Sequence, residues 1–121
     1  SSVTDMHDMF RFATNFNQAL NSWNVSNVTR MSVMFSGAEK FNQAINNWNV
    51  SNVTEMSQMF SDAIAFKTKF NNGNSLPDDT NNLKGWFKSD RMLAIDIKER
   101  EKDNLDSFYN NLESLYNNLD K

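Results

Sequence analysis

The sequence predicts an α/β repeat fold: a short solenoid of short parallel strands and short helices, closed by a helical C-terminal cap. Three observations carry this expectation. A 25-residue period runs through the first 70 residues. Within each copy the apolar spacing changes from strand-like to helix-like, and a separate helical stripe occupies the C-terminus.

The period is read residue by residue. Phe16-Asn17-Gln18-Ala19-Leu20-Asn21 returns as Phe41-Asn42-Gln43-Ala44-Ile45-Asn46, and Trp23-Asn24-Val25-Ser26-Asn27-Val28-Thr29 returns unchanged from Trp48 to Thr54. Three copies are present at Met6/Met31/Met56, Met9/Met34/Met59, Phe10/Phe35/Phe60, Ala13/Ala38/Ala63 and Phe16/Phe41/Phe66. A unit of this size cannot bury its own apolar face, but stacked copies share one core. The first and last copies are partial. Ser1 shares the phase of Ser26 and Ser51, so the chain opens in mid-unit. A stretch of a longer array is expected over a native cap, because stacked repeats normally end in a polar terminal unit.

Inside a copy, Trp23 and Val25 (then Trp48 and Val50) alternate as in a half-buried strand. Val28, Met31, Met34, Phe35 and Ala38 follow the stripe of a short helix, with Ser26 or Asn27 as N-cap and Gly37 as terminator. The repeat region is thus placed at 1–70, a turn-rich boundary loop at 71–83, and a helical cap or association segment at 84–121. Charge shifts at the same place. Residues 1–70 hold five acidic and five basic residues, whereas 71–121 hold ten and seven.

In the last segment Leu105, Phe108, Leu112, Leu115 and Leu119 form a 3-4-3-4 stripe, widened by Tyr109 and Tyr116. Such a helix is longer than a three-unit stack is tall. It therefore either crosses the end of the stack as a cap or pairs with another segment or chain, and the cap is the preferred expectation. Trp86 and Phe87 are expected to plug the last unit. Leu93, Ile95 and Ile97 alternate like a strand but are read as helix. Asp96 with Arg100, and Glu99 with Lys102, are expected surface pairs.

Composition narrows the chemistry. The chain has 121 residues, 39% of them hydrophobic, a net charge of -3, twenty Asn, one His and no Cys. Acidity argues against nucleic acid as a partner. The lack of Cys removes disulfides and thiolate metal sites. No run of about 18 apolar residues offers a membrane span. No catalytic, cofactor-binding or metal-ligating set is expected, and no cofactor. His7 aligns with Ser32 and Ser57 off the apolar stripe and reads as a solvated surface residue. Asp78-Asp79 reads as a helix cap or solvated pair. The Met columns read as core packing.

Two surfaces remain as candidates. Ser22, Asn24, Ser26, Asn47, Asn49 and Ser51 flank the inward Trp and Val positions and form an uncharged hydrogen-bonding strip suited to a protein or a glycan. Leu105, Phe108, Leu112, Leu115 and Leu119 form the candidate association helix. The stacked Asn pairs 17/42, 21/46 and 27/52 read as structural ladders between copies.

The signature F-N-Q…W-N-V-S-N-V-T-x-M-x-x-M-F, carried by residues 1–70, resembles the BspA-like leucine-rich-repeat family of bacterial surface proteins, including the 25-residue repeats of lipoproteins from wall-less bacteria. The L-x-x-W-x-V frame is a bulky variant of L-x-x-L-x-L. The resemblance implies an extracellular or cell-surface location, an anchor outside this segment, and a non-enzymatic role in protein contact or adhesion to a host-surface ligand. The alternative expectation is a structural spacer or assembly element whose C-terminal helix drives self-association.

Overall fold

The computed structural model describes residues 3–119. The 25-residue copies do stack in register, as windings 3–27, 28–52 and 53–77, but they are not built from strands and helices. Strand-type pairing among the described residues consists of two isolated parallel bridges, Asp5 with Arg30 and Arg30 with Glu55. Among the described residues the helices are α1 (Ile64–Asn71), α2 (Thr80–Lys88) and α3 (Arg91–Leu119). The expected α/β solenoid of parallel strands is therefore incorrect.

The reason lies in the backbone. The stripe from Met31 to Ala38 forms consecutive tight turns instead of a helix: Met34 N–H donates to Met31 O, Ser36 to Val33 and Ala38 to Phe35. The intervening N–H groups point along the stack. Met31, Val33, Phe35 and Gly37 donate to the carbonyls of Glu55, Ser57, Met59 and Ser61 at 2.8–3.0 Å. Met6, Asp8, Phe10 and Phe12 donate in the same way to Arg30, Ser32, Met34 and Ser36. Positive φ values at Asp8, Phe12, Val33, Gly37, Gln58 and Asp62 produce this alternation. They occupy the third position of a turn, where a left-handed residue is needed. A helix cannot absorb such residues two turns running.

The expected strand around Trp23 and Val25 is likewise a pair of turns, closed by Trp23 N–H to Leu20 O and Val28 N–H to Val25 O. Windings are joined there by side chains. Asn21 Nδ2 donates to Asn46 Oδ1 at 3.2 Å, and Asn21 Oδ1 accepts from Asn47 N–H at 2.8 Å. Asn17 Oδ1 accepts from Asn42 N–H and from Gln43 Nε2. The 27/52 pair does not bond to itself: Asn52 Nδ2 donates to Ser26 O.

Two columns of Phe rings form the core. Phe10, Phe35 and Phe60 stack at 5.5 and 5.6 Å, and Phe16, Phe41 and Phe66 at 5.8 Å. Within each winding the two rings meet at 4.1–4.4 Å. The rings are offset and nearly parallel, a favourable aromatic arrangement. Met31, Met34, Met56, Met59, Ile45, Val28 and Val53 fill the remaining space and are buried.

The two ends of the stack differ. At the first winding the same core positions are uncovered: Trp23 is 39% exposed against 5% for Trp48, and Met9 is 44% exposed against none for Met34. Trp23 and Met9 were expected in the core and are instead at an open end. The third winding is covered. Trp86 lies 6.1 Å from Phe66 and Phe87 6.4 Å from Phe60, as expected of a plug. Leu83 and Met92 are buried beside them, and Met92 Sδ accepts from Ile45 N–H.

Helix α1 carries Phe66 and Phe70 into the core and ends at Asn72 in the left-handed region, with Gly73 N–H bonded to Lys67 O. Helix α2 is capped by Asp79, whose carboxylate accepts from Asn82 N–H. Helix α3 is about 44 Å long at 1.5 Å per residue. Its first two turns pack on the stack through Met92 and Ile95, and Glu99 pairs with Lys69 at 2.9 Å in place of the expected Lys102. The Asp96–Arg100 pair forms as expected.

Candidate interaction surfaces

The hydrogen-bonding strip is on the surface. Ser22, Asn24, Asn47, Asn49 and Ser51 are exposed and Ser26 is half-buried. Its Asn side chains are partly occupied by the turns they stabilise. Asn24 Oδ1 accepts from the N–H and hydroxyl of Ser26 at 3.0 and 2.7 Å, and Asn49 Oδ1 accepts from Ser51 N–H at 3.1 Å. These local bonds hold the Oδ1 of each amide against its own turn. The strip is a row of Ser and Asn side chains that includes no charged or aromatic residue.

A second feature was not anticipated from sequence. Arg30 bridges Asp5 in the first winding and Glu55 in the third, at 2.8 and 2.9 Å, so charge alternates along one column. The Asp5 carboxyl is held below its ordinary range, first by the backbone N–H of His7, then by the His7 ring and the Arg30 guanidinium. Hydrogen bonding to Glu55 and the charge of Asp5 raise the pKa of Arg30 further. His7 is exposed, as expected for its phase.

Beyond the third winding lies a cleft of about 390 Å³, lined by residues 58–62, Lys67 and residues 75–78. Its floor is the backbone of the last winding. Asp78 projects onto that backbone and accepts from Gln58 N–H at 2.6 Å.

The association stripe is exposed along its whole length, with Leu105 at 52%, Phe108 at 58% and Leu119 at 75%. The preferred expectation, that this helix crosses the stack as a cap, fails beyond the second turn of α3. The part that covers the stack is α2 and the start of α3. Residues 98–119 of α3 are exposed throughout. Uncharged residues flank the stripe: Asn104, Tyr109, Asn111, Tyr116 and Asn118.

Among the described residues no group of three or more His, Cys, Asp or Glu could hold a metal ion, and no helix is long and apolar enough to cross a membrane. No curated protein and no solved structure matches the chain. A family model does match, over residues 1–100, which takes in all three windings, α1, α2 and the start of α3. The chain thus belongs to the family described as Mycoplasma protein of unknown function, DUF285.

Proposed function

We propose that the chain is a non-enzymatic interaction or adhesion module displayed at the surface of a bacterial cell, with a protein or host-surface glycan as its ligand. Membership in a Mycoplasma family supports this reading, as does the likeness of the repeat sequence to BspA-like surface proteins. That likeness rests on the signature, not on the strand-built leucine-rich-repeat architecture. The observation that carries the proposal is the exposed row Ser22, Asn24, Asn47, Asn49 and Ser51, in which the Asn24 and Asn49 amides are held by bonds to Ser26 and Ser51 N–H and the Asn47 backbone is tied to Asn21 of the winding before. A pre-ordered polar row binds with little entropic loss. Binding of the chain to a panel of host matrix proteins and glycans tests the idea. Loss of a detected interaction in Asn24→Ala with Asn49→Ala supports the strip, and failure across the whole panel removes adhesion.

A second reading is favoured by the tail. The exposed stripe Leu105, Phe108, Leu112, Leu115 and Leu119 has the spacing of a coiled-coil seam. Its uncharged flanks impose no like-charge repulsion on a pairing of identical helices. On this reading the module is an assembly element. Light scattering of the wild type and of Leu112→Glu with Leu115→Glu decides the matter: a dimeric mass that halves in the variant supports self-association, and a monomeric mass in both removes it.

A further inference from the structure

Along the stacked tight turns the main-chain bonds between windings run forward, from N–H groups of one winding to carbonyls of the next. The donors are Met6, Asp8, Phe10 and Phe12 in the first winding and Met31, Val33, Phe35 and Gly37 in the second. The third winding repeats these positions at Met56, Gln58, Phe60 and Asp62, and no further winding follows among the described residues. Side chains of the following loop and helix take the first two. Thr80 Oγ1 accepts from Met56 N–H at 3.0 Å, and Asp78 Oδ1 accepts from Gln58 N–H. No acceptor among the described residues lies on the N–H of Phe60 or Asp62. Both belong to the cleft lining.

We propose that this cleft binds a peptide main chain, with the N–H groups of Phe60 and Asp62 donating to the carbonyls of alternate residues. The two earlier interfaces show what this pair of donors takes. Phe10 and Phe12 donate to Met34 O and Ser36 O at 2.9 and 2.8 Å, and Phe35 and Gly37 to Met59 O and Ser61 O at the same distances. Asp62 has a φ of 57°, close to the 59° of Phe12, so its N–H is already turned along the stack. Unpaired backbone donors call for a partner. An extended peptide presents alternate carbonyls on one edge, the basis of recognition by added strands.

Charge selects a neutral acceptor over an anion. Asp62 and Asp78 both line the cleft, against a single ammonium at Lys67. A carboxylate or phosphate would enter beside two like charges, whereas an amide carbonyl carries no net charge. Leu76 and Pro77 offer apolar contact to whatever side chain lies between the two bonded residues. This site is separate from the polar strip and from the tail, so its outcome is independent of theirs.

The experiment is an amide-resolved NMR titration of the full chain with a capped peptide copying residues 31–38, the segment that supplies both carbonyls in the first interface. The Phe60 and Asp62 amide resonances should shift and their hydrogen exchange should slow several-fold, while Met56 and Gln58 stay in place. Sodium acetate, added in parallel, should leave Phe60 and Asp62 unmoved. Shifts confined to other residues, or none at saturating peptide, overturn the proposal. Equal shifts with acetate overturn it in favour of an anion site.

Discussion

The indole N–H of Trp48 donates to the carbonyl of Leu20 at 2.9 Å, so this Trp ties its own winding to the one before it. Trp48→Ala removes a buried ring and this bond, and should cost about 3–5 kcal/mol. Trp48→Phe should cost about 1 kcal/mol, because the Leu20 carbonyl loses one of its two donors and keeps the Trp23 N–H. Asn49→Ala, on the exposed strip, should stay within about 1 kcal/mol of wild type. Urea denaturation midpoints measure all three, and similar midpoints for Trp48→Ala and Asn49→Ala would contradict the burial pattern.

Trp86 is the informative contrast. Its Nε1 is buried without a hydrogen-bond partner among the described residues. Trp86→Phe removes an unsatisfied donor and gives up some ring volume, so the two effects oppose each other. The variant should lie within about 1 kcal/mol of wild type. A loss as large as that of Trp48→Ala would mean that the indole N–H has a partner.

The Phe columns predict a gradient along the stack. Phe35 stacks on Phe10, Phe41 and Phe60 and is fully buried. Phe35→Ala should cost about 3–5 kcal/mol. Phe10 has the same place at the open end and is only half-buried, so Phe10→Ala should cost clearly less. Calorimetric melting of the pair checks this order.

Gly37 and Gly73 separate two costs of adding a side chain. Both have positive φ, 75° and 80°. A Cβ at Gly73 meets nothing within 4 Å, whereas one at Gly37 would lie 2.6 Å from Phe12 Cδ1. Gly73→Ala should therefore cost about 1 kcal/mol from backbone conformation alone. Gly37→Ala should cost more, since the Phe12 ring must also move. Gly37→Ala in a Phe12→Ala background should recover the difference.

The Asp5 column predicts acid sensitivity of one sign. The Asp5 pKa is lowered in the fold from its ordinary 3.8. Its stabilising contribution is present above that value and is lost as pH falls through the lowered one. Asp5→Asn should flatten the stability profile between about pH 5 and pH 2. Salt should weaken the wild-type contribution, because the column is exposed. An unchanged profile in the variant would place the acid sensitivity elsewhere.

How much of this was legible depends on what each residue type signals. The 25-residue register, the Phe and Met core and the plug by Trp86 and Phe87 follow from apolar side chains, which declare their burial. The local backbone did not. Trp23 and Val25 alternate as a strand would, and Val28 to Ala38 carry a helical stripe, yet both patterns also arise when tight turns are stacked. Six left-handed positions decide between these readings, and only Gly37 among them is a glycine. Asp8, Phe12, Val33, Gln58 and Asp62 give little warning, because contacts between windings override their local preference. The tail stripe was legible, but its lack of contact with the stack was not. The donor row of the cleft consists of main-chain groups, which every residue carries and no sequence advertises. The Asp5–Arg30–Glu55 column was readable in principle, since the three residues share one phase and alternate in sign.

Because the bonds and ring contacts between windings repeat with the 25-residue period, molecular length is quantised. A single-residue insertion inside a winding would shift every later donor off its acceptor and turn Phe rings out of their columns. A whole extra copy would leave all existing pairs intact and simply move the terminal plug outward. Descendants of such a gene are thus expected to differ in size by multiples of one unit, with point changes accumulating on the polar outer face.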